Sequence, residues 1–205
     1  MIFDPLVVYI VDDDEGVRVA LSRSLSKRGM QVEHFADAQT FLNQVHEDAK
    51  GCLILDYGMP GMDGLELQEH LNRRESTIPI IFISGHGGIP ESVRATKAGA
   101  IDFLEKPFDL TVLIERIQAA FDLGAQMRAE KTRRQMLADK RGLLTEREEQ
   151  VLQHILTHPS RTSSKEIATA LGISPRTVEI HRGRIQQKVG VKTTIELYEL
   201  FGQMH

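Results

Sequence analysis

Cys52-Leu53-Ile54-Leu55-Asp56, followed by Tyr57-Gly58-Met59-Pro60-Gly61-Met62-Asp63-Gly64, decides the fold. An uninterrupted apolar run of this length has the character of a strand buried on both faces. It stops on a carboxylate, and the Pro and Gly behind it force a turn. In open α/β sheets, ligands collect beyond the carboxyl ends of the strands. Taken alone, Asp56 reads most simply as a cap for that turn. Three further strand ends change the reading.

Leu6-Val7-Val8-Tyr9-Ile10-Val11 runs into Asp12-Asp13-Asp14-Glu15. Acids crowded this closely repel unless their pKa values rise or a divalent cation neutralises them. Carboxylates from two strand ends, a backbone carbonyl and water are the ligand types of Mg²⁺. The run at 80–83 ends on Ser84-Gly85, and 101–105 leads into Lys106-Pro107-Phe108. An acid cluster, an acceptor carboxylate, a hydroxyl and a lysine together fit phosphoryl transfer onto a carboxylate. Mg²⁺ (or Mn²⁺) would sit on Asp13 and Asp56, Lys106 would neutralise one phosphoryl oxygen, and Ser84 would donate to another. Asp14 and Glu15 are expected to open the next helix, where acids favour the positive end of the dipole.

Helical stripes separate these strands: Val17, Leu21 and Leu25; Phe41, Leu42 and Val45; Leu67 and Leu71; Val93 and Ala95; and Leu113, Ile117 and Phe121. The fivefold β-α alternation predicts an α/β, doubly wound, five-stranded parallel sheet of flavodoxin-like order 2-1-3-4-5. The glycine-rich run at 85–88 predicts a mobile lead-in to the fourth helix.

Residues 1–123 carry 11 basic and 20 acidic side chains, a balance of −9, and residues 124–205 carry 14 and 9, or +5; the whole chain stands at −4. An acidic front and a basic back suggest two domains, the second with a polyanionic partner. Cys52 is the single cysteine, which excludes an internal disulfide, and it reads as a small core hydrophobe. No apolar stretch is long enough to span a membrane, and Asp4 and Pro5 interrupt any signal-peptide pattern. A cytoplasmic location is expected.

The stretch 124–142 is highly charged and almost stripeless, which predicts a helical or semi-rigid linker. A dimer helix through Met127 and Leu137 is the alternative. From 143 the pattern is all-helical. Thr145 with Glu148 fits a capping box, a short helix covers 164–171, Gly172-Ile173-Ser174 turns the chain, and Pro175 opens a helix to about 189. A last helix spans 193 to about 203. A short helix, a glycine turn and a capped second helix make a helix-turn-helix. On the second helix Val178, His181, Ile185 and Val189 are expected to face inward, and Arg176, Glu179, Ile180, Arg182, Gly183 and Gln186 outward. A glycine in mid-helix costs about 1 kcal/mol against alanine, and close approach to a groove is one reason to keep it. A solvated face is the plain alternative; the turn, the charge split and the outward arginines favour DNA.

Residues 1–123 resemble the receiver domain of two-component response regulators. Asp12-Asp13, Asp56 with Met59-Pro60-Gly61-Met62-Asp63-Gly64, Ser84-Gly85 and Lys106-Pro107-Phe108 carry the likeness. It implies that Asp56 is the phospho-acceptor, Asp12 and Asp13 the acidic pair, and Ser84 and Phe103 a hydroxyl–aromatic switch. Residues 143–205 resemble the LuxR-type helix-turn-helix domain through Leu144-Thr145-Glu146-Arg147-Glu148, Lys165-Glu166-Ile167-Ala168, Gly172-Ile173-Ser174, Arg176-Thr177-Val178, His181 and Lys188-Val189. This likeness adds Thr177 and Lys188 to the DNA-facing set. The combination is similar to the FixJ/NarL-type regulators, which implies a sensor histidine kinase, promoter DNA, a phosphorylation-driven homodimer and RNA polymerase as a further candidate partner. It implies self-directed phosphotransfer and dephosphorylation rather than turnover of an external substrate.

Two positions depart from the family pattern. Gly58 has no side chain where a polar one is usual, although its backbone carbonyl could still bind Mg²⁺. The loop Thr157-His158-Pro159-Ser160-Arg161-Thr162-Ser163 is longer than usual, and Arg161 would either add a phosphate contact or be inert. Two other function classes compete with this reading. A phosphatase-like hydrolase would need a second carboxylate two residues after Asp56, where Gly58 stands. A protein-binding helical module would lack salt-dependent affinity for duplex DNA.

Overall fold

The computed structural model describes residues 6–85 and 89–202. Asp4 and Pro5, the glycine-rich lead-in at 86–88 and the expected helix end at 203 therefore lie outside the described residues. The chain divides into two units, Met1–Ala129 and Glu130–His205.

In the first unit, β1 (Val7–Val11), α1 (Glu15–Ser26), β2 (Gln31–Phe35), α2 (Ala38–Gln44), β3 (Gly51–Asp56), α3 (Gly64–Arg73), β4 (Ile80–Ser84), α4 (Ile89–Lys97) and β5 (Asp102–Glu105) alternate as expected, and α5 (Leu110–Gly142) follows. The strands form one parallel sheet in the order β2-β1-β3-β4-β5. The unbroken apolar run of β3 is explained by its two covered faces. Leu53 and Leu55 enter the layer of Phe41, Leu67 and Phe82, while Cys52 and Ile54 enter that of Leu25 and Leu113. All four β3 side chains are fully enclosed, and each large one contributes about 1.5–3 kcal/mol through burial. Burial also pushes the Cys52 thiol up to about 12, so it packs as an unreactive core residue.

Two glycines fix the amino and carboxyl ends of β3. Gly51 has φ +152°, and a Cβ built there would stand 1.8 Å from the Val7 carbonyl oxygen. At Gly64 a Cβ would stand 2.5 Å from the Asp56 carbonyl oxygen and 2.8 Å from Phe82 Cε1. The first turn of α3 can therefore lie against the Asp56 strand end only with glycine at that position. Asp63 and Glu66 form a capping box there.

The stretch expected to be a helical or semi-rigid linker is helical and continuous with the helix before it. α5 continues through 124–142 to Gly142, and the division between units falls inside it. Gly124 does not stop the helix; it is buried, and an added Cβ would meet the Pro79 ring at 3.1 Å. Leu137 is 2% exposed in the second unit's core, so the carboxyl end of α5 packs as part of that unit.

The second unit comprises the end of α5, α6 (Glu146–Thr157), α7 (Ser164–Leu171), α8 (Pro175–Val189) and α9 (Thr194–Phe201). Val151, Ile155, Ile167, Val178, Ile185 and Phe201 are enclosed in one apolar core. Each helix start is held by a side-chain cap: Thr145 with Glu148, Ser163 with Glu166, Ser174, and Thr193. Gly172, at φ +67°, closes α7 in the left-handed conformation and redirects the chain into α8. No helix among the described residues is long and apolar enough to cross a membrane.

Candidate functional site

The carboxyl ends of β1, β3 and β4 and the residue after β5 converge on one acidic pocket. Asp12 is fully enclosed, Asp56 is 6% exposed and Ser84 is 4% exposed. Lys106 Nζ donates to Asp12 Oδ2 and to Asp56 Oδ1, each at 2.7 Å. The second Asp56 oxygen accepts the Gly58 N–H at 2.9 Å. The Asp14 N–H donates to Asp12 Oδ1 at 2.9 Å, and Arg18 Nη1 donates to the Asp12 carbonyl at 2.7 Å. The Lys106 N–H donates to the Ser84 carbonyl at 2.7 Å, which locks the lysine beside the end of β4.

The charges show what this convergence costs. Burial pushes the Asp12 carboxyl above the ordinary aspartate range, and the bonds from Lys106 and Asp14 only partly offset it. Burial also works against the Lys106 ammonium, but the two carboxylates outweigh it and hold the lysine above its ordinary range. Asp13 is exposed, and Asp14 caps α1 by accepting the Val17 N–H.

Phe103, on β5, is half-buried. It stacks on Phe82 with centroids 6.1 Å apart and meets Tyr57 edge-on at 5.9 Å. The aromatic at this position is therefore already packed onto the sheet beside the turn that follows Asp56.

The donor set suits a hard divalent cation. It is all oxygen, it carries excess negative charge, and one acid is held out of water. A Cβ at Gly58 would meet nothing nearer than Asp56 Oδ2 at 4.0 Å, so that flank of the pocket is open. Among the described residues, no three acidic, histidine or cysteine side chains already gather around one point. Asp13 would have to turn inward to join Asp12 and Asp56.

In the second unit, α8 presents Arg176, Glu179, Gly183, Arg184 and Gln187 to solvent, with Ile180 47% exposed. A Cβ at Gly183 would meet nothing within 4 Å. Packing inside the unit therefore gives no reason for a glycine there.

Residues 8–118 match the model of the response regulator receiver domain, and residues 142–201 match that of the bacterial regulatory proteins of the luxR family. The chain is a two-component response regulator. TodT from Pseudomonas putida, a response regulator protein, is 44% identical over 191 residues, covering 93% of this chain and 83% of its own. The transcriptional regulatory protein FixJ of Rhizobium meliloti is 39% identical over 193 residues, covering 94% and 93%. The solved structure of the response regulator StyR superposes with TM-score 0.78 at 42% identity, covering 98% of this chain and 100% of that one. Full-length FixJ from B. japonicum gives 0.58 at 35%, covering 97% and 98%. The regulator thus joins a receiver to a LuxR-type DNA-binding domain, as transcriptional regulators of this family do.

Within the regulator, Asp12, Asp56, Ser84 and Lys106 come together as expected, and Asp13 stands apart at the rim. Three residues expected to face DNA are committed elsewhere. Arg182 is half-buried, donates to the Thr162 carbonyl at 3.1 Å and bonds Thr194 Oγ1. It lies four residues after Val178 and three before Ile185, on the buried stripe, and that spacing already marks it as inward. Lys188 Nζ donates at 2.6 Å to Glu148 Oε2, whose side chain is 2% exposed. Thr177 is half-buried and bonds Ser174 through its N–H and its hydroxyl, so it belongs to the cap of α8. Gln186 is also half-buried, and His181 points inward as expected, with Nδ1 enclosed and unpaired among the described residues. Arg184 and Gln187 are the outward residues that the sequence reading missed. Their angular distance from Val178, Ile185 and Val189 was the available signal.

Proposed function

We propose that the regulator accepts a phosphoryl group on Asp56 from a phosphohistidine of a sensor kinase. A carboxylate oxygen of Asp56 attacks phosphorus, the P–N bond breaks, and the electron pair returns to the kinase imidazole. The observation that carries this is Lys106 bridging Asp12 and Asp56 at 2.7 Å each, at the carboxyl ends of their strands. From that position the ammonium can follow charge as it moves onto a phosphoryl oxygen. The Gly58 N–H holds the other Asp56 oxygen and orients the nucleophile. Asp12, Asp13 and Asp56, with the Gly58 carbonyl, would hold Mg²⁺ (or Mn²⁺), which when bound supplies positive charge to the transferring group.

Ser84 then donates to the new acceptor oxygens, and Phe103 follows by repacking against Phe82 and Tyr57. The receiver's altered surface favours a homodimer, which places two α8 helices on adjacent half-sites of promoter DNA. Arg176 and Arg184 make phosphate or base contacts, Gly183 permits close approach, and RNA polymerase is engaged at the promoter. The test is phosphodonor labelling with and without Mg²⁺, read by intact mass, followed by sedimentation. One added phosphoryl group that requires Mg²⁺, vanishes in Asp56→Asn and raises the dimer fraction supports the reading. Full labelling of Asp56→Asn refutes it.

A further inference from the structure

Beyond α8, one groove on the DNA-binding unit has no assigned role. It lies where α6 ends and α7 begins and is lined by His154, His158, Arg161, Lys165 and Glu166. The two histidines, one helical turn apart, stack with centroids 4.6 Å apart and planes 18° from parallel. His154 is the inner ring: its Nε2 is enclosed and has no partner among the described residues. His158 is the outer ring, exposed, with Nδ1 2.8 Å from the Thr157 hydroxyl. That contact orients the imidazole so that Nε2 is directed away from Thr157. Arg161 and Lys165, also in the lining, are exposed.

The single acid in the groove is already committed. Glu166 accepts the Ser163 N–H at 3.2 Å and the Ser163 hydroxyl at 2.5 Å, closing the cap of α7. Those bonds, aided by the charges of Arg161 and His154, hold its carboxyl below the usual range. Two cations and an outward imidazole therefore surround a space whose carboxylate is turned to the helix cap. Such a wall suits an anion with several oxygens. The position indicates which one. The neighbour of Arg161, Thr162, accepts through its carbonyl a bond from Arg182 of α8 at 3.1 Å. The loop carrying Arg161 is thereby fastened to the helix that reads DNA.

We infer that the His158–Arg161 groove is a second DNA-backbone contact, in which Arg161 and His158 clamp a phosphate flanking the segment read by α8. His154 acts as a positioning residue, a platform under His158. The inference rests on the DNA-binding reading of α8.

The test uses the full-length regulator and a random-sequence duplex, followed by fluorescence anisotropy across a salt series. Removing one phosphate-binding side chain flattens the log-affinity against log-salt slope by about 0.9. Arg161→Ala should show that flattening and a several-fold weaker affinity, while Arg161→Lys restores the slope. His158→Gln should weaken binding, and the double variant should add little to Arg161→Ala because both serve one phosphate. Arg176→Ala serves as the control on α8. If Arg176→Ala weakens binding while Arg161→Ala and the double variant match the parent, the groove proposal is wrong and the α8 reading stands. If the parent binds no duplex at all, both are wrong. The His158 ring resonances should shift with stoichiometric duplex; a shift with inorganic phosphate but none with duplex would assign the groove to a free anion and overturn the proposal.

Discussion

Replacing Lys188 separates a structural lysine from a DNA-contacting one. Lys188 Nζ lies 2.6 Å from Glu148 Oε2; the Glu148 side chain is 2% exposed and that of Lys188 34%. Burial raises the Glu148 carboxyl, but Lys188 and the Thr145 N–H overcome this and bring it down to about 2 from the usual 4.5. At about 1.36 kcal/mol per pKa unit, a difference of that size carries about 3 kcal/mol. The Thr145 N–H, 2.8 Å from the same oxygen, survives removal of the lysine. The partial exposure of Lys188 also screens its share. Lys188→Met, which keeps helix propensity and the apolar stem, should therefore cost the DNA-binding unit about 2 kcal/mol at neutral pH. For a unit of this size that is a fall of roughly 10 °C in its melting temperature.

The pH dependence follows from the sign. A carboxyl whose folded pKa is depressed contributes stability above its unfolded value and loses it as pH falls through the folded one. The gap between parent and Lys188→Met should be full above about pH 4.5 and narrow as pH falls toward 2. Calorimetry of the full-length regulator gives the neutral value, and hydrogen exchange of α6 and α8 amides assigns the loss to this unit. Parental stability in Lys188→Met, combined with a flattened salt slope on duplex DNA, would refute the reasoning and return Lys188 to the DNA face.

Further outcomes follow from the same structure. Arg182→Ala should lower the stability of the DNA-binding unit by about 1–3 kcal/mol, because two bonded partners are left without it; Arg184→Ala should leave stability unchanged and weaken duplex binding in an anisotropy titration. Gly51→Ala should cost more than about 2 kcal/mol in urea unfolding, since its Cβ would stand 1.8 Å from the Val7 carbonyl oxygen. Asp13→Ala should remove Mg²⁺-dependent labelling by a phosphodonor while Glu15→Ala changes little, as measured by intact mass.

The first unit was legible because its signals are local. An apolar run on β3 alternates between two covered layers, and each strand end carries a residue whose chemistry differs from packing residues. Asp12, Asp56, Ser84 and Lys106 could be placed from those ends without knowing a single distance. What escaped depends on partners distant in sequence. Nothing near Lys188 announces Glu148, forty residues earlier. Similarly, the charged stretch at 124–142 reads correctly as helix-forming, but Leu137 gains its burial only from a core built by later helices. Arg182 is different. Its place on the Val178–Ile185 stripe was readable, and the arginine's expected attraction to DNA outweighed the spacing. Gly124, like Leu137, carries no local signal of its role: it lies inside α5, where an added Cβ would meet the Pro79 ring at 3.1 Å.

The acidic pocket stores a cost that the phosphoryl reading explains. Two carboxylates share one ammonium, and Asp12, fully enclosed, titrates above the ordinary 3.8 because burial disfavours its charge. A carboxyl with a raised folded pKa makes the native state bind the proton more readily than the unfolded chain. The regulator should therefore lose stability, relative to Asp12→Asn, as pH rises past 3.8, and the difference should level off above the folded value. Urea unfolding of both proteins from pH 3.5 to 7 measures this. Phosphorylation of Asp56 would add about −1.5 to −2 charge to a pocket whose single ammonium already serves two acids. Lys106 would then have to turn toward the phosphoryl oxygens and leave Asp12 with fewer partners, which is the condition under which a divalent cation binds most favourably. Millimolar Mg²⁺ at neutral pH should accordingly stabilise the parent more than Asp12→Asn through mass action on the folded state. A gap independent of pH, or equal stabilisation of both proteins by Mg²⁺, would mean that Asp12 is buried for packing and not for cation and phosphoryl chemistry.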